Sequence, residues 1–548
     1  MRAAHAVSDV RAAERALMAL VPDGALMQRA AAGLASVCAG MLGRVYGARI
    51  TVLAGRGDNG GDALFAGAWL ASRGARVTAV AAATELHQAG AAALRQAGGL
   101  VVGASDAGVG AQAATATSAG AEAATATSAG GEAATAASIG AEAAAAIAGA
   151  DLIIDGILGI GGRGGLREPA ATIAGLTAAA ADAGAVVVAA DLPSGVDADT
   201  GVVAGPAIRA DVTVTFGTIK PGLLVDPGAS YAGTVQLVDI GLRPHLTAVP
   251  AVEAMHSADI AALLPRPSAE SDKYRRGVVG VLAGSQRYTG AAVLSVGGAI
   301  RGGAGMVRLV SAKPAADVVR QHWPEAVITV VQPRGQAGAA AGAEGGAVGA
   351  AAIEAAGRVQ AWVAGPGLGT GEDAADLLAA VLATPLPALV DADGLTVLAG
   401  RRDLLSRPGG AATLLTPHAG ELARLTGADD DEIEANRLDS ARRAAAELGV
   451  TILLKGSTTV VATPDRGEPV FVNPTGTPWL ATAGSGDVLS GLAGALLAQG
   501  LRPARTAAAV AAFLHGLAAR LAAKGAPVGA GDVLAAIPAA IRMVNDAG

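Results

Sequence analysis

The chain has 548 residues and a formal net charge of −7, too long for one ordinary hydrophobic core and without a basic stripe, so two large domains are expected and nucleic acid is excluded as a main partner. Apolar residues make up 52% of it, but alanine and glycine inflate that figure: aromatics are 2%, and no stretch joins spanning length to the bulky side chains of a membrane helix. The single cysteine, Cys38, excludes an internal disulfide framework and a cysteine-based zinc site, and the N-terminal 24 residues hold no uninterrupted signal-peptide core, so a cytoplasmic protein without a membrane partner is expected.

The early stretch ARITVLAGRGDNGGDALFAG joins a β-branched run to a helical pattern through a glycine turn carrying Asp58, Asn59 and Asp62. Strand patterns cover 49–55, 76–82, 152–158, 185–192, 212–217 and 234–241, with helical stretches between several of them. That alternation predicts an α/β domain with a Rossmann-like, doubly wound, mostly parallel sheet. From residue 111 a decapeptide repeat places Gly120, Gly130 and Gly140 in register. It offers almost nothing bulky to stack on, so 104–148 reads as a low-complexity surface insertion, disordered or loosely helical. The proline-rich stretch 241–270 reads as the boundary between domains at 1–245 and 255–548. Strand patterns resume at 277–284, 305–312, 361–369, 387–394, 412–421 and 450–463. A second biased stretch, 334–352, reads as an expanded loop, and TAGSGDVLSGLAGALLAQG (482–500) is a glycine turn feeding a helix.

In that last segment Gly484, Ser485 and Gly486 present amides at a helix start, an anion hole for a phosphoryl group, and Asp487 is placed to accept a proton from an attacking hydroxyl. Taken alone, GSGD fits a plain helix cap equally well. It is joined by Lys455 with the hydroxyls of Ser457, Thr458 and Thr459 in LLKGSTTVV, and by His418 and Glu421 in LTPHAGE, where Glu421 could position Mg²⁺ directly or through water. Asp391 and Asp393 stand in VDADG, and VAGPGLGTG adds another glycine turn. Four such strand-end loops in one domain make a nucleotide site. The order GPGLG, DADGL, TPHAGE, KGSTT, ATAGSGD resembles the ribokinase-like superfamily and, more closely, the ADP/ATP-dependent NAD(P)H-hydrate dehydratase family, over about 270–540. The resemblance implies a ribokinase-like α/β fold and Mg²⁺ with ADP or ATP. It also implies adenine-nucleotide contacts at Lys455, Gly456, Ser457, Thr458, Thr459 and Gly486, and contacts from the hydrated nicotinamide nucleotide to Ala291, Gly367, His418 and Asp487. Related dehydratases often assemble, so a homo-oligomer is expected. Ala419 stands where the family usually has Pro.

The first domain adds IIDGILGIGGRGGLREP, AADLPSGVDADTG and VTFGTIKPG to its early loop. Singly, each Asp and Gly fits a turn; in a parallel sheet the loops would converge at the carboxyl edge. Together they resemble the NAD(P)H-hydrate epimerase family over about 10–240. The resemblance implies a K⁺ ion at Asn59, Asp155 and Ser194. It places the substrate against Asp58, Asn59, Gly60, Gly61 and Asp62, against Gly159, Ile160, Gly161, Gly162, Arg163, Gly164 and Gly165, and against Asp191 as the acid/base. Asp58 stands where the family commonly has Asn, Ala63 where Gly is usual, and Gln28–Arg29 where Glu-Asn is usual. A carboxylate at 58 facing a phosphate is unfavourable unless the cation or Arg56 offsets it. The combined expectation is repair of hydrated NADH and NADPH, epimerising R and S hydrates and dehydrating the S form. The alternatives are a kinase of a small alcohol using the same Asp487, and a first domain that binds nucleotide without catalysis. Lysine occurs five times only, at 220, 273, 313, 455 and 524, and a lysine kept in so arginine-rich a chain marks a position of interest.

Overall fold

The computed structural model describes residues 1–104, 139–332 and 349–547. They divide into two compact units, His5–Ala248 and Val249–Gly548, and Met1–Ala4 belongs with the second. Strand β1 (Arg2–Ala4) therefore adds to the later sheet, an assignment the sequence pattern did not give.

The first unit is built on β2 (Arg49–Ala54), β3 (Arg76–Ala81), β4 (Leu100–Gly103), β5 (Leu152–Gly156), β6 (Val186–Ala190), β7 (Val212–Phe216) and β8 (Thr234–Val238). All pair in parallel, in the order β4-β3-β2-β5-β6-β7-β8. The chain starts in the middle, runs outward to β4, then returns to lay β5 on the free side of β2. That reversal opens a crevice beyond the carboxyl ends of β2 and β5, where doubly wound sheets bind ligands. Alternation along the strands fills both faces. Ile50, Val52 and Ala54 meet Leu34, Leu64 and Leu94 on one side, while Leu53, Val80 and Ile153 meet Ala143, Ile147 and Ile173 on the other.

Two expectations change here. Residues 141–148, assigned to the low-complexity insertion, form a covering helix (Ala141–Ala148): Ala143 and Ile147, four apart on one face, are buried. The repeat from 111 to 138 and the stretch 333–348 lie outside the described residues. In the boundary segment, short elements appear instead of irregular chain, β9 (Val252–Ala254) and a helix at Ser257–Leu263.

The second unit continues with β10 (Val278–Leu282), β11 (Met306–Ala312), β12 (Val327–Val331), β13 (Ala361–Ala364), β14 (Ala388–Val390), β15 (Thr413–Leu415), β16 (Thr451–Leu454), β17 (Thr459–Ala462) and β18 (Val470–Asn473). With β1 and β9 they order as β1-β9-β18-β17-β16-β15-β14-β13-β10-β11-β12, parallel from β16 through β12. Here the switch falls between β10 and β13. The apparent strand 450–463 is a hairpin, with β16 and β17 antiparallel and the KGST turn between them. Helix Ser485–Ala498, buried from Val488 to Ala498, runs beneath the sheet and fixes where its N-terminus ends. Contrary to the composition argument, two helices, Ala25–Leu42 and Ala504–Ala523, are long and apolar enough to cross a membrane by length and composition. Ala504–Ala523 owes this largely to alanine, ten of its 20 residues, and packs mostly within the core of its unit.

Candidate active sites

In the first unit the DNGGD stretch is not a loop: it is the first turn of helix Asp58–Ser72, with Gly57 as N-cap. The amides of Asp58, Asn59 and Gly60 so lack intrahelical acceptors, and Gly61 N–H is the first to close back, on Gly57 O at 3.1 Å. Gly60 is required by close approach, since a Cβ there would stand 2.2 Å from Gly55 O. Ala63, where the family usually has Gly, is fully buried, and a Cβ on Gly156 would come 2.5 Å from its Cβ, so Gly156 leaves it the room it needs.

Asp155, at the end of β5, is wholly buried. Its Oδ2 accepts Ser194 N–H at 2.7 Å, and its Oδ1 accepts Ser194 Oγ at 2.6 Å and Ile157 N–H at 3.2 Å. Burial pushes its carboxyl up to about 6 against those bonds, with no basic side chain among the causes. Asn59 adjoins this group, its Cγ 3.1 Å from a Cβ position on Gly159, and its buried Nδ2 has no protein partner. The three residues expected at K⁺ are thus together. A buried carboxylate without a cation among its partners, with the Ser194 hydroxyl and the Asn59 side-chain carbonyl as further oxygens, is a donor set that fits an oxygen-ligated monovalent ion. The unpartnered Asn59 Nδ2, by contrast, is a hydrogen-bond donor and calls for an acceptor.

Asp191 follows β6 with φ 62°, a left-handed conformation that Asp tolerates better than most residues. It is ion-paired to Lys220, which is 1% exposed. Around them stand Glu14 and Asp62, both pushed up in pKa first by burial, Asp62 well above the carboxylate range. Asp62 Oδ1 is buried without a partner. The loop Gly159–Gly165 is half-buried to exposed, with Gly161, Arg163 and Gly164 at its surface, and Arg11 from helix Val7–Met18 reaches it: Nη2 lies 3.5 Å from a Cβ position on Gly161. Arg29 is turned elsewhere, its Nη1 donating to Ile240 O at 2.7 Å, so the Gln28–Arg29 departure puts a fastening where the family has Glu-Asn.

In the second unit five segments bring their motifs to the carboxyl ends of β13, β14, β15 and β16 and to the helix start at Ser485. Asp391, 1% exposed, holds Lys455 Nζ at 2.7 Å through Oδ1 and Ser490 Oγ at 2.6 Å through Oδ2. Lys455 also lies 3.5 Å from Glu421 Oε2. Burial works against its charge, but Asp391 and Glu421 outweigh burial and raise its pKa. Glu421 caps its helix by accepting His418 N–H at 2.9 Å, while the His418 side chain is exposed. Gly486 adjoins the pair: a Cβ there would be 3.5 Å from Lys455 Nζ and 3.7 Å from Asp391 Oδ2. Asp487, one residue on, is pushed up to about 7, first by burial and then by Asp391, with Lys455 opposing. Asp393 ties the GPGLG turn to the same place by accepting Gly369 N–H at 2.8 Å. Gly367 and Ala291 are neighbours, 2.7 Å separating the Ala291 Cβ from a Cβ position on Gly367. Ala392, between the two aspartates, has φ 51°, a strained conformation held by its surroundings.

Parts of the expected set are rearranged. The hydroxyls of 457–459 do not form one face: Ser457 is exposed, Thr458 is 5% exposed and Thr459 opens β17, because the hairpin turns the chain over between them. Ser485 N–H leans back on Thr482 O at 3.4 Å, which leaves the amides of Gly486 and Asp487 as those without an intrahelical acceptor. Glu421 is tied to His418 and Lys455; among the described residues, the three acidic groups whose ligand atoms lie within 4.8 Å of one another are Asp429, Asp430 and Asp431, all exposed.

The sequence reading missed Arg437 and Ser490 and gave Lys220 no role. Arg437 is fully buried and donates Nη2 to Lys455 O at 2.6 Å and Nε to Thr458 O at 3.1 Å, holding the KGST turn from beneath. Gly456, φ 153°, is where the turn presses on it, a Cβ there standing 2.2 Å from Arg437 Nη2. No motif announces this arginine, which lies in the helix before β16.

Comparison with known proteins fits this geometry. Residues 279–539 match the family model for NAD(P)H-hydrate dehydratase, and 23–222 that for the YjeF-related protein N-terminus. The bifunctional NAD(P)H-hydrate repair enzyme Nnr of Mycobacterium leprae is 44% identical over 97% of this chain and 96% of its own length. That of Thermofilum pendens is 32% identical over 92% and 88%. Among solved structures, the Bacillus subtilis ADP/ATP-dependent NAD(P)H-hydrate dehydratase crystallised with ATP/Mg²⁺ is 28% identical, with a TM-score of 0.45, over 54% of this chain and 99% of that one. These relatives favour nicotinamide-nucleotide repair over phosphorylation of a small alcohol, and the chain belongs to the family of bifunctional NAD(P)H-hydrate repair enzymes.

Proposed function

We infer that the chain restores hydrated NADH and NADPH, the first unit interconverting R and S hydrates and the second dehydrating the S form at the expense of ADP or ATP. The observation that carries the second step is Asp487, a largely buried carboxyl with a pKa near 7 at a helix N-terminus, beside Lys455 and Asp391. Hydroxide is a poor leaving group. Asp487 takes the proton of the ring hydroxyl as that oxygen attacks the terminal phosphorus of the nucleotide, and the free helix amides hold the transferred group. Phosphate then leaves with the C–O electron pair as the ring nitrogen's lone pair assists, and loss of a proton from the adjacent ring carbon to the departing phosphate regenerates NAD(P)H, the nucleotide leaving one phosphate shorter. Mg²⁺ would be held by Glu421 together with the nucleotide phosphates and would neutralise their charge. Lys455, Ser457 and Thr459 line the nucleotide side, and Ala291, Gly367 and His418 the substrate side.

In the first unit Asp191 acts as acid/base while the Asp58–Asp62 helix start and the 159–165 loop hold the substrate. K⁺ is assigned to Asn59, Asp155 and Ser194, where its charge offsets that of Asp155. The protein works in the cytoplasm as a homo-oligomer. The test follows 340 nm absorbance of mixed R and S NADH hydrates with ADP, Mg²⁺ and K⁺. Full conversion, faster than spontaneous epimerisation, supports both activities. A stop at the S fraction removes the first, and no nucleotide-dependent signal removes the second.

A further inference from the structure

Lys220 is among the largest fully buried side chains of the molecule, and no step above uses it. Its ammonium has three partners: it donates to Asp191 Oδ1, to Thr215 Oγ1 at 3.1 Å and to Phe216 O at 3.0 Å. Thr215 passes its own proton on to Asp191 Oδ1 at 3.1 Å, and Phe216 N–H reaches the same oxygen at 3.2 Å. Three donors thus converge on Oδ1, and none of them on Oδ2. The donors come from the end of β7 and the turn after it, so they approach Asp191 as one rigid piece of the sheet. The carboxylate they hold sits on a residue at φ 62°, a conformation that needs external support. The other charges near the pair come from two helices. Glu14 and Arg11 lie on Val7–Met18, Asp58 and Asp62 on Asp58–Ser72, and the carboxylates outnumber the cations.

We propose that Lys220 is a positioning residue of the epimerase half: clamped with Thr215 and the Phe216 amide on Oδ1, it keeps Asp191 in place and leaves Oδ2 to exchange the proton of the substrate hydroxyl. This rests on the reading of Asp191 as the acid/base. Without the ammonium, Asp191 would have one cation fewer among neighbours of its own sign, and its strained backbone would lose its main fastening. An arginine cannot take the place fully, because its planar fork cannot bond three acceptors grouped around one point.

The test compares wild type with Lys220→Met, Lys220→Arg, Asp191→Asn and the double variant Asp191→Asn/Lys220→Met in the full-length protein. Epimerase rates are read on R hydrate, dehydratase rates on pure S hydrate report on the second unit, and limited proteolysis with circular-dichroism melting of the whole chain reports that the first unit is folded. Lys220→Met is expected to lower epimerase kcat about 100-fold with KM for the hydrate within about two-fold of wild type. Lys220→Arg should regain part of that loss, and the double variant should be no slower than Asp191→Asn alone. Losses that multiply in the double variant, or a rise in KM at unchanged kcat, would overturn the proposal while leaving Asp191 as acid/base. Should Lys220→Met not fold, Lys220→Arg carries the test, and wild-type kcat in it overturns the proposal. Full epimerase activity in Asp191→Asn would overturn the acid/base reading itself, and the proposal with it.

Discussion

Replacing Asp487 by Asn should abolish dehydratase activity and make the second unit more stable, and the second effect can be sized. The carboxyl titrates near 7 in the folded chain and near its ordinary 3.8 when unfolded. Between those values the native state binds the extra proton, so stability falls as pH rises from about 4 to about 7 and is flat above. The gap of about three pKa units corresponds to about 4 kcal/mol at most, and partial access of water to the carboxyl brings the expected gain to about 2 kcal/mol. Asparagine fills the same space without the charge. Guanidinium unfolding followed by tryptophan fluorescence suits the measurement, because Trp323, Trp362 and Trp479, three of the four tryptophans, lie in the second unit. The variant should unfold at higher denaturant than wild type at pH 8 and at nearly the same denaturant at pH 4.5. In parallel, wild-type kcat should fall on the acid side of about pH 7, where the base is protonated. A variant equally stable at both pH values, or a wild-type acid limb near pH 4, would refute the argument that burial and Asp391 hold this carboxyl protonated.

Arg437→Ala removes the guanidinium donors to the carbonyls of Lys455 and Thr458 and should cost about 2–4 kcal/mol of stability while raising KM for ADP about ten-fold with kcat little changed, as steady-state kinetics on S hydrate will show. Asp155→Asn removes a buried carboxylate that has no protein cation; the epimerase rate should lose its dependence on K⁺ in a titration against Na⁺, while the dehydratase rate stays the same. Asp58→Asn removes an exposed negative charge from a helix start proposed to meet phosphate, and KM for both hydrates should fall about three-fold at low salt and converge with wild type above about 0.5 M salt.

Legibility in the sequence followed what each feature depends on. Buried parallel strands such as Arg49–Ala54 and Val212–Phe216 are continuous β-branched runs, and their pattern places them to within a residue or two. Leu100–Gly103 and Val252–Ala254 are too short to establish a period, so the β4 edge and the link through β9 to β1 stayed hidden. The strand-end positions of Asp155, Asp191 and Asp391 follow from local pattern alone, because a turn residue after an apolar run marks a carboxyl end, and the helix-start position of Asp487 follows from the glycine turn before it. What surrounds each side chain does not: Arg437 bonds the KGST turn from a helix, and Glu14, on a helix early in the chain, adds its charge to that near Asp191. Both depend on tertiary packing of elements whose own pattern is merely amphipathic. The hairpin at 451–462 was misread as one strand for a related reason, since Gly456 gives up the apolar pattern for a single turn only.

The five lysines connect these observations. Lys273, Lys313 and Lys524 are exposed, where arginine would serve as well. The other two are the ones fixed by buried aspartates at strand ends, Lys220 on Asp191 and Lys455 on Asp391. In each case the ammonium meets several acceptors converging on one small volume: Asp191, Thr215 and Phe216 O in the first unit, Asp391 and Glu421 in the second. A compact charge with three rotatable donors fits such a place, and a flat guanidinium does not. Where arginine supplies nearly every other cation, these two lysines, Lys220 buried and Lys455 partly so, stand on buried aspartates. Each also stands beside a carboxylate assigned to chemistry, Asp191 in direct contact and Asp487 by way of the Asp391 charge. The two units, different in sheet order, thus each fix a lysine ammonium on an aspartate at a strand end.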